Sequence, residues 1–373
     1  MTKQKYKICN KCVLDTSVVD INFDNNGFCN YCKKFEDVAI PILKLDEKQK
    51  EEKFSNIIKE IKRNGEGRDY DCILGISGGI DSSYLALLAK KNGLRTLLVH
   101  FDNGWNSELA VKNIENILEK LDIDLYTYVV DWLEFKNIQL SFLKASTPDL
   151  EIPTDHGIIS LLYKTASKHG VKYILNGTNV QTESILPEKW GYGYYDLTYI
   201  KSIQRKYGNK KIKSLPTLSL IELFYFSKVK KIKFIPFLNY VDYVKEDAMK
   251  VIEEKLDWIY YGGKHYESIY TRLIQSYILP IKFNIDKRIA HYSNLICSNQ
   301  ISRDYALEEL KKDAYPADLI NNDLEYFLKK LDLSKNEFDL ILNNKPKTFL
   351  DYKNNRKTFS FLKRIMNKFS INV

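Results

Sequence analysis

A short loop rich in glycine and serine, Ser77-Gly78-Gly79-Ile80-Asp81-Ser82-Ser83, follows the apolar run Cys72–Ile76 and precedes a helical pattern. A buried strand, a tight loop and a helix in this order begin a βαβ unit. Gly78 and Gly79 allow tight turning and close approach of the backbone to a ligand. The helix that begins near Ser82 directs free N–H groups and its positive dipole end at the loop. The loop therefore predicts an anion site, most naturally for a pyrophosphate.

The hydroxyls of Ser77, Ser82 and Ser83 add hydrogen-bond donors to this loop. The loop is not a Walker A motif, because no Gly-Lys-Ser/Thr sequence follows its glycines. A structural turn without a ligand is the alternative, and a bare Ser-Gly-Gly would favour it. The complete string, placed directly after a buried strand, favours the anion site.

Short apolar strands alternate with amphipathic helices on both sides of the loop. The strands are predicted at Cys72–Ile76, Thr96–Phe101, Leu125–Val130 and Tyr173–Leu175. This βαβ rhythm predicts an α/β fold with a doubly wound parallel sheet. Ligands of such sheets bind beyond the carboxyl ends of the strands.

Two CxxC pairs, Cys9/Cys12 and Cys29/Cys32, stand near the N-terminus. Each pair lets two thiolates reach one metal ion, and two pairs complete a tetrahedral site. So short a segment buries little surface by itself, so a metal would supply the missing folding free energy. Four sulfur ligands leave no open position for a substrate, which favours a structural zinc ion. An iron–sulfur cluster or redox dithiols are the alternatives.

Composition divides the chain into three expected domains. Residues 1–45 form a zinc-ribbon-like unit with four cysteine ligands, residues 46–260 form the α/β domain, and residues 261–373 form a helical region with a basic tail. The stretch Lys201–Lys213 is basic and free of acids, and we predict a loop there.

The net charge of +9 is concentrated at the end of the chain, where residues 343–373 carry +7. A nearly neutral body gives little reason to expect nucleic acid binding by the core. The tail could contact RNA, an anionic membrane or an acidic partner, or stay solvated. No apolar stretch approaches the ~20 residues of a membrane span, and no apolar signal segment opens the sequence. We therefore expect a cytoplasmic protein without a membrane span.

The string SGGIDSS resembles the signature of the PP-loop ATP pyrophosphatases, over roughly residues 70–180. The resemblance implies cleavage of ATP to AMP and pyrophosphate. It implies that Asp81 is the acid associated with magnesium and the pyrophosphate. His100 and Asp102 would lie beside adenine and ribose, with Gly177 and Thr178 beside the nucleotide. A packed strand histidine and a turn aspartate are the respective alternatives for His100 and Asp102.

Longer blocks resemble the N-acetyl sugar amidotransferase family. They are the N-terminal double CxxC unit, VHFDNGWNSELA, NGTNVQTESILPEKWGYG and YGGKHYESIYTRLIQSYILPIKFNIDKRIAHYSNLICSNQISRDYALEEL. The resemblance implies conversion of an acetamido group on a sugar to an acetamidino group in bacterial surface-glycan synthesis. The sugar would be nucleotide-linked or a nonulosonic acid. The family pairs with a separate glutaminase subunit and a cyclase-like subunit.

No glutaminase nucleophile is evident in the sequence. Thr2 follows the first methionine, Cys72 lies within a predicted strand, and Cys297 has no recognisable nucleophile context. Ammonia must then come from solution or from a partner, which agrees with the separate glutaminase that the resemblance implies.

The block around Lys264, His265, Glu267 and Arg272 is polar and aromatic, unlike a core helix. Lys264 or Arg272 could bind phosphates of a nucleotide-linked sugar or the carboxylate of an acidic one. His265 could transfer a proton. Glu267 could transfer a proton or bind the substrate. Each of these residues could equally be a surface or helix-capping residue.

Three further candidates follow the fourth predicted strand. Glu183 could bind the incoming ammonium or a sugar hydroxyl, Trp190 could stack on the sugar, and Asn179 is assigned to the substrate. Core packing is the alternative for Trp190.

Two other functions remain open from the sequence. The CxxC unit and the basic tail would also suit a tRNA-thiolating PP-loop enzyme, although both pairs precede the ATP domain. A zinc-bearing scaffold that only senses nucleotide is the non-enzymatic alternative.

Overall fold

A computed structural model of the chain describes residues 5–263 and 265–359. Lys264 and the end of the basic tail, including Lys363, Arg364 and Lys368, lie outside the described residues. Within this part of the chain, no helix is both long enough and apolar enough to cross a membrane.

Five strands form one parallel sheet: β1 (Cys72–Gly75), β2 (Thr96–Asp102), β3 (Leu125–Val129), β4 (Tyr173–Asn176) and β5 (Lys233–Pro236). Their order across the sheet is β3-β2-β1-β4-β5. Since all four pairings are parallel and helices connect the strands, the predicted doubly wound α/β fold is confirmed.

The edge strand β5 was not predicted from the sequence. Only Ile235 of its four residues is buried, so the segment lacks the apolar run that marked the inner strands. An edge strand has one neighbour instead of two and needs less apolar surface.

Helices cover both faces of the sheet. They are α1 (Asn30–Leu43), α2 (Glu47–Gly65), α3 (Ile80–Lys91), α4 (Glu108–Leu121), α5 (Trp132–Ala145), α6 (Ile152–Lys168), α7 (Val180–Glu183), α8 (Leu197–Tyr207), α9 (Leu220–Phe224), α10 (Lys245–Leu256), α11 (Ile269–Leu273), α12 (Leu279–Phe283), α13 (Lys287–Cys297), α14 (Arg303–Lys311), α15 (Ala317–Leu331) and α16 (Lys335–Asn343). On one face, α2, α3, α4 and α10 pack through Ile61, Leu85, Ile117 and Ile252. On the other face, α5 and α6 join a larger core that extends into the C-terminal helices.

The predicted loop at Lys201–Lys213 is wrong over its first half. Helix α8 covers Leu197–Tyr207, and Ile200 and Ile203 are buried on its inner side. Asp196 caps this helix by accepting from the backbone N–H groups of Thr198 and Tyr199. The basic residues lie on the outer side of the helix. Because they are frequent in this stretch, the helical spacing of its apolar residues was not recognised in the sequence.

The N-terminal cysteine unit packs directly on the C-terminal helices. The guanidinium of Arg303 donates to the carbonyl oxygens of Cys12 and Cys9, at 3.1 and 3.0 Å. The backbone N–H of Val13 donates to the hydroxyl of Ser293 at 3.3 Å. The first and last parts of the chain therefore share one core.

Candidate functional site

A cleft opens beyond the carboxyl ends of β1 and β4. These neighbours mark the point where the strand order reverses, which is where doubly wound sheets bind ligands. The cleft encloses about 770 Å³, including solvent at its mouth. Nine of the predicted site residues line it: Ser77, Gly79, Asp81, Ser82, Gly177, Thr178, Glu183, His265 and Glu267.

The conformation of the loop depends on Gly78. Its φ is +77°, in the left-handed region, and a Cβ there would lie 2.5 Å from the carbonyl oxygen of Ala110. The indole N–H of Trp258 donates to the carbonyl oxygen of Gly78 at 2.9 Å. Gly78 therefore shapes the loop, while Gly79 caps α3 and faces the cleft.

The three serines of the loop have different surroundings. The hydroxyls of Ser77 and Ser82 lie 3.3 Å apart, and both residues line the cleft. Ser83 is fully buried, and its hydroxyl donates to the carbonyl oxygen of Gly79 at 2.7 Å. Ser77 and Ser82 can therefore donate to an anion, whereas Ser83 closes the first turn of the helix.

Asp81 lies in the first turn of α3, with its carboxylate held by the hydroxyl of Tyr243. Burial raises the pKa of Tyr243, and the charge of Asp81 raises it further, so the phenol stays a donor. A Cβ at Gly177 would lie 3.2 Å from the Cβ of Asp81, so the segment after β4 closes on the loop. Tyr243 was not predicted, because nothing in the sequence links it to Asp81.

A second side of the cleft comes from the C-terminal half of the chain. The backbone N–H of Ser107 donates to the carbonyl oxygen of Glu267 at 2.8 Å, which fixes this segment beside the sheet. A Cβ at Gly79 would lie 3.4 Å from a carboxylate oxygen of Glu267 and 3.4 Å from the hydroxyl of Tyr261. Both side chains therefore stand against the phosphate loop.

Glu267 carries a negative charge in this site. Its Oε1 lies 3.5 Å from Nδ1 of His265. Burial alone would raise the pKa of Glu267, but the hydrogen bond and charge of His265, with help from Tyr261, hold it below its ordinary value. Among the described residues, its buried Oε2 has no hydrogen-bond partner. Glu267 therefore offers an ionised oxygen.

Several cleft residues escaped the sequence analysis. Asn176, Thr182, Tyr261 and His291 lie within the blocks that carry the family resemblance, although no role was assigned to them. Lys245 lies outside those blocks and carried no signal. All of them line the cleft: Asn176, Thr182, Lys245, Tyr261 and His291.

His100 and Asp102 are not brought into the cleft lining. The ring of His100 is buried, with Nδ1 2.9 Å from the carbonyl oxygen of Ile76 and Nε2 3.0 Å from the amide nitrogen of Asn106. Asp102 accepts from the backbone N–H of Gly104 at 2.8 Å. These contacts correspond to the packed histidine and the turn aspartate of the alternatives.

Arg272, Trp190 and Asn179 also have structural surroundings outside the cleft lining. Arg272 forms a two-pronged ion pair with the buried Asp323, with N–O distances of 2.6 and 2.7 Å. Trp190 is buried in the core. Asn179 caps α7 by accepting from the backbone N–H of Thr182 at 2.9 Å. Lys264, the remaining candidate, lies outside the described residues.

The four cysteines of the CxxC pairs converge within 4.8 Å of one another and are buried. The Sγ–Sγ distances are 3.8 Å for Cys9–Cys32, 3.7 Å for Cys12–Cys29 and 3.7 Å for Cys29–Cys32. A tetrahedron with zinc–sulfur bonds of about 2.3 Å has edges of about 3.8 Å. The donor set and its spacing fit one zinc ion.

A fifth thiol adjoins this cluster. Sγ of Cys297 lies 3.9 Å from Sγ of Cys32. Cys297 ends α13, and the same helix carries His291 of the cleft. Asn294 of α13 also joins the segment after α7, accepting from the backbone N–H of Ile185 at 2.7 Å. The cysteine cluster therefore supports one side of the cleft.

The donors in the cleft also fit a triphosphate with a divalent cation. Asp81 and Glu183 offer carboxylate oxygens, which are the ligands that Mg²⁺ prefers. The free N–H groups of α3 and the hydroxyls of Ser77 and Ser82 suit phosphate oxygens.

Two protein families match separate parts of the chain. Residues 71–187 match the family described as queuosine biosynthesis protein QueC. Residues 267–366 match the family described as LPS biosynthesis protein WbpG-like, C-terminal domain. The first match contains the phosphate loop and the segment after β4, and the second contains Glu267 and His291.

Curated relatives match the first of these regions. The 7-cyano-7-deazaguanine synthase of Helicobacter pylori is 30% identical over 166 residues, which is 40% of this chain and 71% of that protein. The enzyme of the same name from Nautilia profundicola is 29% identical over 146 residues, 35% of this chain and 62% of that protein.

Solved structures with low overall similarity also match. An NMN synthetase from Francisella tularensis is 19% identical, with a TM-score of 0.30, covering 57% of this chain and 85% of that one. An NH3-dependent NAD synthetase from Campylobacter jejuni is 20% identical, with a TM-score of 0.30, covering 57% of this chain and 87% of that one.

Proposed function

Since the chain belongs to the PP-loop enzymes that use ATP, with a QueC-like domain and a WbpG-like C-terminal domain, we propose that it is an ATP-dependent amidotransferase. It converts the acetamido group of an N-acetylated sugar to an acetamidino group, with release of AMP and pyrophosphate. The observation that carries the proposal is a cleft with a phosphate loop on one side and ionisable WbpG-like residues on the other.

The chemistry requires activation of a poor electrophile. The acetamido oxygen attacks the α-phosphorus of ATP, the bond to the β-phosphate breaks, and pyrophosphate leaves. The resulting imidate carbon accepts the lone pair of ammonia. AMP then leaves with the former carbonyl oxygen, and loss of a proton completes the amidine. The protein must position these groups and stabilise charge on phosphorus.

The phosphate loop holds the polyphosphate of ATP and stabilises its charge in this proposal. Ser77, Ser82 and the free N–H groups of α3 hold the pyrophosphate portion as its charge develops. Asp81 and Glu183 would hold Mg²⁺, which supplies neutralisation of the polyphosphate. Tyr243 fixes the rotamer of Asp81, so the carboxylate is oriented before the ligand arrives.

Residues of the C-terminal half bind ammonia and transfer its protons in this proposal. Glu267 is ionised and stands against the phosphate loop, so it can attract an ammonium ion and accept a proton as nitrogen attacks. His265, 3.5 Å from Glu267, can pass that proton on. Lys264 remains a candidate for the phosphates or carboxylate of the sugar.

The ammonia source and the cellular setting complete the proposal. We propose a separate glutaminase subunit and a cyclase-like subunit as partners, a role in lipopolysaccharide or related surface-glycan synthesis, and a cytoplasmic site of action. The four-cysteine cluster holds a structural zinc ion, because its buried thiols leave no room for a substrate ligand.

Formation of 7-cyano-7-deazaguanine is the second candidate function, favoured by the curated relatives and the match at residues 71–187. Thiolation of tRNA is less well supported. All six cysteines fall within the described residues, and none of them lines the cleft. Five of them gather at the metal cluster, and Cys72 is buried in β1.

One assay separates these functions. The purified chain is incubated with ATP, Mg²⁺, ammonium and a nucleotide-linked acetamido sugar, and products are identified by mass spectrometry. We expect AMP, pyrophosphate and a sugar product. The product should be lighter than the substrate by the mass difference between an oxygen atom and an NH group. Pyrophosphate release that depends on a deazaguanine precursor or on tRNA, with the sugar unchanged, would reject the proposal.

A further inference from the structure

A row of large apolar side chains is exposed on the flank of the α/β domain. Helix α9 continues into a π-helical turn, Tyr225–Val229, so residues 220–229 form one helical segment. Four of its side chains are strongly exposed: Ile221 at 82%, Phe224 at 62%, Tyr225 at 43% and Val229 at 61%. Their spacing places them on one side of the segment. We call these four residues the apolar ridge.

The opposite side of the segment is firmly anchored. Ser219 and Glu222 form a reciprocal capping box, with hydrogen bonds of 3.2 and 2.8 Å, that fixes where the helix begins. Phe226 stacks on Tyr163 with 5.9 Å between ring centroids, and Leu223 packs against the core. The apolar ridge therefore projects outward because its helix is held in place.

Lysines accompany the apolar ridge. Residues 223–241 contain four lysines, Lys228, Lys230, Lys231 and Lys233, and neither acid nor arginine. The ammonium of Lys230 lies 5.8 Å from the ring centroid of Tyr225, so charge and apolar surface are adjacent. Glu222 is held in the capping box, and Lys233 forms a 3.8 Å ion pair with Glu60.

We propose that the apolar ridge and its lysines dock on an anionic lipid surface. Helices that lie in the membrane interface present apolar and aromatic residues on one side and lysines beside them. Anionic headgroups attract each such lysine. Protein interfaces favour arginine and are depleted in lysine, so the all-lysine composition favours lipid over a protein partner.

This docking would leave the cleft accessible. Lys233 opens β5 and therefore lies at the amino ends of the parallel strands, whereas the cleft lies at their carboxyl ends. Lys233 therefore lies away from the cleft, and lipid binding does not depend on the proposed amidotransferase activity.

Vesicle flotation with the full chain tests the proposal. We expect binding to vesicles of phosphatidylglycerol and phosphatidylcholine, and little binding to phosphatidylcholine alone. The variant I221S/F224S should lose about tenfold or more in lipid affinity, because it removes two large apolar groups from the membrane interface. K230E/K231E should weaken binding similarly, and binding should fall as salt rises.

The matched control is L340S/L350S, which removes two leucines exposed at 67% and 62% in another part of the chain. It should bind vesicles as the unchanged chain does. Circular dichroism verifies folding of each variant. If I221S/F224S does not fold, K230E/K231E alone is compared with the unchanged chain. Absence of vesicle binding would overturn the proposal. Binding that both ridge variants retain would also overturn it, because another basic region would then be responsible.

Discussion

The two sides of the cleft are built by different means. The sheet side, residues 77–83 and 176–183, consists of backbone N–H groups, glycines, hydroxyls and the carboxylates of Asp81 and Glu183. The C-terminal side consists of long ionisable side chains from α10, α13 and the segment between them: Lys245, Tyr261, His265, Glu267 and His291. A cradle of backbone suits any polyphosphate, whereas side chains can select one substrate. We expect ATP binding to depend on the sheet side and substrate choice on the C-terminal side.

The family matches follow part of this division. The QueC match ends at residue 187 and contains the whole sheet side, while the WbpG-like match begins at Glu267. Lys245, Tyr261 and His265 lie outside both matches. Variants on each side test this distinction.

Substitution of Asp81 should have the largest effect on turnover. D81N removes the carboxylate that Tyr243 orients beside the phosphate loop, so pyrophosphate release should fall by about 10³-fold. The measurement is pyrophosphate formed with ATP, ammonium and the sugar. D69N, at an exposed surface position, is the control. Turnover close to that of the unchanged chain would remove Asp81 from the catalytic site.

Arg272 should affect stability rather than substrate binding. R272M leaves Asp323 as a buried charge without its main partner, which should lower the free energy of unfolding by about 3–5 kcal/mol. Urea unfolding measures the change, and R272M/D323L should recover part of it. The KM for the sugar, measured on folded protein at low temperature, should stay unchanged. A selective rise in that KM would instead return Arg272 to the substrate site.

The buried Asp149 should give stability a distinctive pH dependence. Burial raises its pKa to about 7, although Tyr199 and Lys287 oppose the shift. The folded chain therefore binds a proton that the unfolded chain releases between pH 3.8 and about 7. Stability contributed by this group is full below pH 3.8 and is lost as the pH rises through about 7.

D149N should remove that loss. Relative to the unchanged chain, the variant should gain roughly 4 kcal/mol of unfolding free energy between acidic and neutral pH. Chemical unfolding at a series of pH values measures the difference, which cancels contributions from other groups. Parallel stability curves for the two proteins would show that Asp149 titrates normally.

The sequence predicted the sheet side of the cleft better than the C-terminal side. Gly78, Asp81 and Ser82 act through local backbone geometry, so their motif determines their place. The sheet also followed from local pattern, apart from the half-exposed β5. Tyr243, in contrast, reaches Asp81 across 162 positions of the chain, and no local pattern indicates such a contact.

The candidates that lie outside the cleft lining share a related cause. A suggestive block predicts that its polar residues face a ligand, although side-chain direction depends on distant partners. Arg272 turned toward Asp323, and His100 turned toward the carbonyl oxygen of Ile76. Where a buried partner is far away in the sequence, residue type alone does not distinguish an ion pair from a binding site.

Glu267 tests the C-terminal side directly and should give the smallest of these effects. E267Q keeps the shape of the side chain but removes its charge, so sugar-dependent turnover should fall by about 10- to 100-fold. The dissociation constant for ATP without sugar should not rise. Because His265 holds the pKa of Glu267 below its ordinary value against the effect of burial, the deficit should persist at neutral pH. E253Q, at an exposed position on α10, is the control. Should E267Q weaken ATP binding as much as turnover, Glu267 would belong with the phosphate cradle, and the division of labour between the two sides would fail.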